Sequence, residues 1–481
     1  MAETLKQKTA RGLFWGGMSN GIQQLLGVVF GIVLGRLLSP GDYGMIAMVT
    51  VFSLIANELQ WSGFKTALTN LKSPTHRDYN SVFWFNIIVA AAIYVVLFFS
   101  APLIAAYYHK PELVPLCRYL FVGFVLASIG GAQSAYLFKN LMARQQAVAG
   151  VTALVLSNVV GVVMAWQGYS YWSLATQSIL YVGTNTVLFW CFSPWRPSFK
   201  IDLGPIRGMI GFSVKIMATA IVNIVNNNIL NVLLGRYFTA AATGFYYQAY
   251  QWNYKAYNLL QGMAQQVAQP VLVEVGDERD RELRVLRKMV RFTAMLSFPL
   301  LLGLSLVSHE FIVVTLTAKW EASAELLRVM CLGGAFMPVS LLLYNCIISH
   351  GRSGVYLWCT VAFGAAQLCA IMLCYPLGIK AMVMAYAALN VVWVLVWHFF
   401  VRRLTGYRLT MLLADVAPFA LAAGAVMVLT HFATAMLGTL WVKLVVRILL
   451  AAALYCLVMK VARVKIFDEA LRFVLRRKVS G

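Results

Sequence analysis

Apolar residues run along this chain in blocks of twenty or more, broken by short polar segments, from the first dozen residues almost to the last. An α-helix rising about 1.5 Å per residue needs about twenty such residues to cross the hydrocarbon core of a bilayer. That ruler predicts about fourteen helices, over residues 12–37, 41–66, 79–105, 114–139, 144–166, 170–191, 208–236, 240–270, 288–309, 324–348, 354–375, 379–402, 411–432 and 440–463. The longer polar connections fall at 67–78, 192–207, 271–287 and 310–323, and a basic tail follows residue 463. Pro299 and Pro338 lie mid-helix and predict kinks. The expected fold class is an all-α polytopic membrane protein.

Within that pattern a motif repeats. Leu34-Gly35-Arg36, followed by Gly44, recurs as Leu234-Gly235-Arg236, followed by Gly244, displaced by 200 positions. Arg118 matches Arg328, Tyr136 and Arg144 match Tyr344 and Arg352, and Gly168 and Gly378 each precede the sixth helix of their set. The common order predicts two six-helix lobes, residues 1–200 and 201–405. An even number of helices returns the chain to the same side, so the lobes are parallel, with a central cavity between them. Helices 13 and 14 (406–463) have no counterpart, and 464–481 is a basic cytoplasmic tail.

Composition fits this picture. Of the 481 residues 61% are hydrophobic and only 12% charged, yet the net charge is +22. Such basicity would suit a nucleic-acid partner, but the Lys and Arg gather in alternate loops, leaving Lys110, Lys319 and Lys380 in the others. This is the positive-inside pattern, with both termini cytoplasmic, and no nucleic acid is needed to explain it. The first eleven residues are short and basic, and the apolar run after them is too long for a signal-peptide core, so the first helix is expected to be retained. The eight cysteines are scattered without CxxC or Cys/His spacing, so neither disulfides nor a metal are expected. No Walker A motif, nucleophile–base pairing or H-E-x-x-H sequence is present, which argues against an enzyme.

The candidate chemistry is the charge placed inside the membrane, where Arg costs roughly 2.5–3.5 kcal/mol at a helix centre. Arg36, Arg118, Arg236 and Arg328 form two repeat-related pairs; Lys215 lies near the inner end of helix 7 and Lys255 halfway along helix 8. These six are the candidate anion-binding residues. Arg36 and Arg236 either face the cavity or cap helix C-termini. Arg118 and Arg328 either face it or touch lipid headgroups, and Lys255 either binds a ligand or pairs structurally. Lys65, Lys443 and Arg447 read as snorkelling anchors. Glu58 is the one deep acid expected, and it could pair with Lys255. Helix 7 carries Asn223, Asn226, Asn227, Asn228 and Asn231, suited to sugar hydroxyls, a coupling cation or interhelical hydrogen bonds. Gly27, Gly31 and Gly35 give helix 1 a face for close packing or bending. Helix 8 opens with Phe245, Tyr246, Tyr247, Tyr250, Trp252, Tyr254 and Tyr257, which could stack on sugar rings or form an interfacial belt. Segments 279–291 and 463–478 are amphipathic and basic, and are expected to lie on an anionic leaflet.

Three stretches carry a family resemblance: Arg11-Gly12-Leu13-Phe14-Trp15, the run from Leu34 through Ser39, Pro40, Gly41, Asp42 and Tyr43 to Gly44, and the run from Gly244 to Tyr250. Together with the two-lobe pattern, they resemble the multidrug/oligosaccharidyl-lipid/polysaccharide exporter superfamily, and within it the polysaccharide transport branch of Wzx-type, colanic-acid-like flippases. The resemblance implies translocation, by alternating access, of an undecaprenyl-pyrophosphate-linked oligosaccharide across a bacterial inner membrane, for exopolysaccharide or O-antigen assembly. It implies no cofactor, a coupling ion (sodium at the helix 7 asparagines or a proton at Glu58), contact with membrane lipids, a polysaccharide polymerase and co-polymerase as partners, and a monomer. Related lipid II flippases hold pyrophosphate with cavity arginines, and Arg36 matches the arginine closing their first helix. Two other readings stay open. A cation-coupled multidrug antiporter would need Glu58 as its substrate site. A non-transporting scaffold for polysaccharide synthesis would tolerate cavity mutations.

Overall fold

The computed structural model describes residues 5–71, 73–275 and 278–476, with some helical side chains, including Lys65 and Lys215, outside that description. The described residues are mostly helical, joined by short connections, and no strand is found among them. Its helices are α1 (Leu5–Leu37), α2 (Pro40–Asn70), α3 (His76–Tyr108), α4 (Leu113–Lys139), α5 (Ala143–Trp166), α6 (Tyr171–Phe192), α7 (Gly204–Tyr237), α8 (Ala240–Val275), α9 (Arg279–Leu306), α10 (Ser308–Leu316), α11 (Glu321–Gly334), α12 (Met337–Ser349), α13 (Ser353–Cys374), α14 (Ile379–Thr405), α15 (Leu409–Ala433), α16 (Leu440–Val461) and α17 (Lys465–Arg476). In lipid every backbone polar group must be satisfied within the chain, which helices do. Among the described residues, eleven helical stretches are long and apolar enough to cross a membrane. Large apolar side chains such as Phe99, Leu103, Leu421 and Phe432 stand exposed, as lipid-facing residues do.

The helix count departs from fourteen at three places. The single span expected over 324–348 is two helices, broken at Ala335–Phe336. Pro338 explains the break: it sits in the first turn of α12, where its missing N–H does no harm. The expected loop 310–323 contains α10 and a 3-10 turn, and the tail forms α17. Pro299 stays inside a continuous α9.

The chain divides into two compact units, Met1–Gly244 and Phe245–Gly481. In the first, α3 pairs with α4, α5 with α1 and α6, and α2 with α7, so the helix that opens the second sequence repeat packs within the first unit. One core joins Met48, Val49, Ile104, Leu116, Phe121 and Ala175 from α2, α3, α4 and α6. At the other end Trp195 lies among His76, Tyr79 and Phe83. There Asn80 accepts from the Ser198 N–H at 2.8 Å and donates to the Lys200 carbonyl at 2.7 Å, tying the 193–203 connection to α3. Arg77 donates to Asp202 at 2.5 Å, and that bond holds the exposed Asp202 carboxyl below its usual range.

The repeated motif marks a crossing of two chain turns. Ser39 and Asp42 form a reciprocal cap on α2: the Ser39 N–H and hydroxyl donate to the carboxylate at 2.8 and 2.7 Å, and the Asp42 N–H donates back at 3.2 Å. Thr239, 200 positions on, accepts from the Ala242 N–H at 3.1 Å and caps α8 with its hydroxyl alone, since Ala242 has no carboxylate to return the bond. A Cβ on Gly44 would fall on the Ala240 carbonyl, and one on Gly244 on the Pro40 carbonyl. The two helix starts therefore touch backbone to backbone at repeat-related glycines. Beside them, a Cβ on Gly235 would come within 2.7 Å of Met48 and 2.8 Å of Tyr108.

In the second unit α9 packs on α15 and α11, and α14 on α11, α12 and α13. Helices 13 and 14 of the sequence, here α15 and α16, are anchored by buried charge. Asp415 of α15 is fully buried and accepts from Arg287 at 2.8 and 3.0 Å, from Arg291, and from the Tyr407 hydroxyl at 2.9 Å. Burial and that carboxylate push the Tyr407 phenol above its ordinary range. Arg447 of α16 is also buried: it donates to Glu310 at 2.8 Å, to Thr434 at 3.0 Å and to the Leu306 carbonyl at 3.2 Å. This corrects the snorkelling assignment of Arg447; Lys443 also turns inward, 3.7 Å from the same carboxylate. Removing one partner of a buried pair costs roughly 3–5 kcal/mol, so Glu310→Gln is expected to lower stability by about 3 kcal/mol or more. The longer Lys443 contact is worth at most about 1 kcal/mol, so Lys443→Gln should be mild. Unfolding of the detergent-purified variants measures both.

Segment 279–291 also differs from the expected surface-lying helix. It is the first half of α9, with Arg287 and Arg291 turned toward Asp415. Lys288 pairs with Glu469 of α17 at 2.6 Å. Lys478 lies outside the described residues.

Candidate functional site

Three of the sequence-predicted cations of the first unit collect at one end of it. Arg36 ends α1 and is exposed; Arg236 ends α7; Arg118 lies in the second turn of α4. The Arg236 guanidinium donates to the Tyr107 carbonyl at 2.5 Å, contacts His109 and lies over the Tyr107 ring at 5.3 Å. It thus caps the C-terminus of α3, the negative end of that helix dipole, rather than the end of its own helix. Arg118 stacks on Phe98 at 4.2 Å and donates to the Phe98 carbonyl at 3.4 Å. Lys215 lies in α7, and its side chain is outside the described residues.

Glu58 and the helix 7 amides come to one depth. α2 and α7 run antiparallel, and Met48 meets Gly235. Ten residues further along each helix, about 15 Å at the standard rise, lie Glu58 on α2 and Val225 on α7, with Asn226 beside it. Asn223 donates to the Thr219 carbonyl at 3.1 Å and Asn228 to the Ile224 carbonyl at 2.9 Å. Asn226, Asn228 and Asn231 are buried while Asn227 is exposed, so the run splits between two faces, as a helix requires. The buried Asn231 Oδ1 receives no hydrogen bond.

In the second unit α8 combines charge, amides and aromatic rings. Lys255 lies about 22 Å along it, its ammonium 4.6 Å from the centre of the Trp252 ring. Tyr246, Tyr250 and Tyr254 stack at four-residue spacing, 6.1 and 6.0 Å apart, and Tyr257 meets Tyr254 edge-on at 5.4 Å. Gln248 and Asn253 are buried, and the Asn253 Oδ1 and Trp252 Nε1 atoms have no hydrogen-bond partner. Arg328 is exposed on α11. A helix this polar cannot face lipid around its whole circumference.

Other acids are buried within the protein. Asp415, Glu310 and Glu282 are all buried in the second unit. The first two are engaged by arginines, so they do not oppose the basic character of the candidate site. One signal could have revealed Asp415. Arg287 and Arg291 are spaced four apart on one helix face, and two guanidiniums so placed need an acid opposite.

Comparison with known proteins places these features. The chain is 26% identical over 394 residues to the teichuronic acid biosynthesis protein TuaB of Bacillus subtilis (strain 168), covering 81% of this chain and 80% of that one. It is 26% identical over 343 residues to the lipopolysaccharide biosynthesis protein WzxC of Escherichia coli (strain K12), covering 70% and 69%. Its fold matches a lipid II flippase, MurJ in an inward closed conformation, with TM-score 0.73 over 92% of this chain and 98% of that one, at 12% identity. The signature of a family described as polysaccharide biosynthesis protein matches residues 33–325. These residues begin just before the first Leu-Gly-Arg motif and run through α8 to α11, so this multi-pass membrane protein belongs to the polysaccharide biosynthesis protein family.

Proposed function

We propose that the protein is a flippase for an undecaprenyl-pyrophosphate-linked oligosaccharide repeat unit, working by alternating access in a bacterial cytoplasmic membrane, with both termini cytoplasmic. α8 supports this reading most directly. It carries an ammonium deep in the helix, next to a tyrosine ladder and buried amides. A pyrophosphate in low dielectric requires opposite charge, since an unpaired anion there costs several kcal/mol. Lysine supplies a point charge and arginine a bidentate fork. We assign the anion to Lys255 in the second unit, and Arg36, the exposed arginine of the repeated motif, is a separate candidate in the first. Arg118 and Arg236 stand at the same end of the first unit as Arg36. Tyrosine faces stack on the sugars, and the lipid tail stays in the bilayer, beside α15 and α16. Glu58, Asn223, Asn226 and Asn227 form the coupling-ion or sugar-contact level. The protein binds and moves its substrate as a monomer and performs no covalent chemistry.

The test is binding of an undecaprenyl-pyrophosphate saccharide to the protein in nanodiscs, with a lipophilic cation as control ligand. Lys255→Ala and Arg36→Ala are each expected to weaken glycolipid binding at least tenfold, about 1.4 kcal/mol. Cation binding that ignores both changes but is lost in Glu58→Gln would replace the flippase with an antiporter. Binding of neither ligand would favour a scaffold.

A further inference from the structure

Glu282, Cys346 and His350 meet where the first turns of α9 pack against the last turn of α12. None has a part in the proposed transport path. Glu282 and Cys346 are buried, at 1% and 0% exposure, and His350 is partly open to solvent. One Glu282 oxygen lies 3.6 Å from the Cys346 sulfur and the other 3.4 Å from His350 Nε2. One ligand atom from each residue can be chosen so that all three lie within 4.8 Å of one another.

We propose that this trio is a zinc site. Zinc binds thiolate at about 2.3 Å and imidazole or carboxylate at about 2.0–2.2 Å, nearly always with tetrahedral geometry. Those bond lengths set ligand–ligand edges of roughly 3.3–3.7 Å. The sulfur and the imidazole nitrogen each lie at such a distance from a different Glu282 oxygen, so the carboxylate needs only to turn to present one oxygen to both within the 4.8 Å cluster. The imidazole is already oriented for the task. His350 Nδ1 lies 2.9 Å from the Cys346 carbonyl, to which it donates, leaving the Nε2 lone pair directed at the carboxylate. A backbone carbonyl on the far ring nitrogen is the usual outer support of a metal-bound histidine. Cys346 and His350 are four apart, so the end of α12 brings both to one side. A thiolate, an imidazole and a carboxylate select zinc over magnesium or calcium, which prefer all-oxygen sites. The fourth position opens on the His350 side, the only partly exposed member. Bound there, zinc would fasten the start of α9 to the end of α12.

The experiment uses full-length, tag-free protein in detergent, stripped of metal and titrated with Co2+ and with Zn2+. Wild type should take up one equivalent of Co2+ with a thiolate-to-cobalt charge-transfer band, and Zn2+ should displace it. Cys346→Ser should abolish the band. His350→Gln should keep it while weakening binding at least tenfold, and Cys369→Ser, at an exposed cysteine elsewhere, should change nothing. A wild-type protein without the band overturns the proposal, leaving a thiol–carboxylate hydrogen bond in its place. A band that survives Cys346→Ser also overturns it. If Cys346→Ser fails to fold, a missing wild-type band still overturns the proposal, and the tenfold loss in His350→Gln supports it while unchanged affinity there overturns it.

Discussion

Gly44→Ala is expected to cost about 3 kcal/mol or more, at or above the upper end of ordinary overpacking. The added methyl would meet the backbone of Ala240, with the carbonyl carbon at 2.6 Å, and backbone cannot rotate away as a side chain tip can. Gly244→Ala should cost a similar amount, since its methyl would lie 2.7 Å from the Pro40 carbonyl carbon. The double variant separates this mechanism from two unrelated defects. Both methyls pry open one crossing, so the double loss should fall short of the sum of the singles by at least about 0.5 kcal/mol. Gly123→Ala is the control: nothing lies within 4 Å of its added Cβ, and alanine favours an α-helix over glycine by about 1 kcal/mol. Unfolding of the four variants in detergent gives the comparison. Gly44→Ala behaving like Gly123→Ala would mean that the crossing is loose.

Asp415→Ala is the second large effect, expected at about 3 kcal/mol. Breaking a buried pair by removing one partner costs roughly 3–5 kcal/mol. The low end applies because the Arg287 and Arg291 side chains are 28% and 40% exposed and can turn partly to water. The loss also strips the Tyr407 hydroxyl of its acceptor. Arg291→Leu should be much milder, near 1 kcal/mol, because Asp415 keeps the two-point contact with Arg287. That asymmetry identifies the acid as the hub of the cluster. Equal losses for Asp415→Ala and Arg291→Leu would argue against it. Because α9 and α15 meet at this carboxylate, its loss should also speed protease cleavage near the 406–408 connection.

The sequence alone was enough for the membrane class, most helix limits and the recurrence of the short motif. Helices in lipid follow apolar length, which is a local property. The repeated Leu-Gly-Arg stretches were visible as well, because identical short motifs at one offset need no contacts to be recognised. What the glycines do was not visible: only the crossing of residues 40–44 with 240–244 reveals that Gly44 and Gly244 are held by backbone rather than by a ligand. The same applies to charge. Arg447 near a helix end reads as a snorkelling residue until Glu310, 137 positions away, is found against it. Asp415 gains its role only where two arginines from α9 close on it. Hydropathy is a sum over neighbours in sequence, whereas an ion pair or a metal-ligand triad is a coincidence of side chains from distant segments. Residue type and place along a helix could therefore be read from the chain, but the partner of each buried charge was decided by tertiary packing.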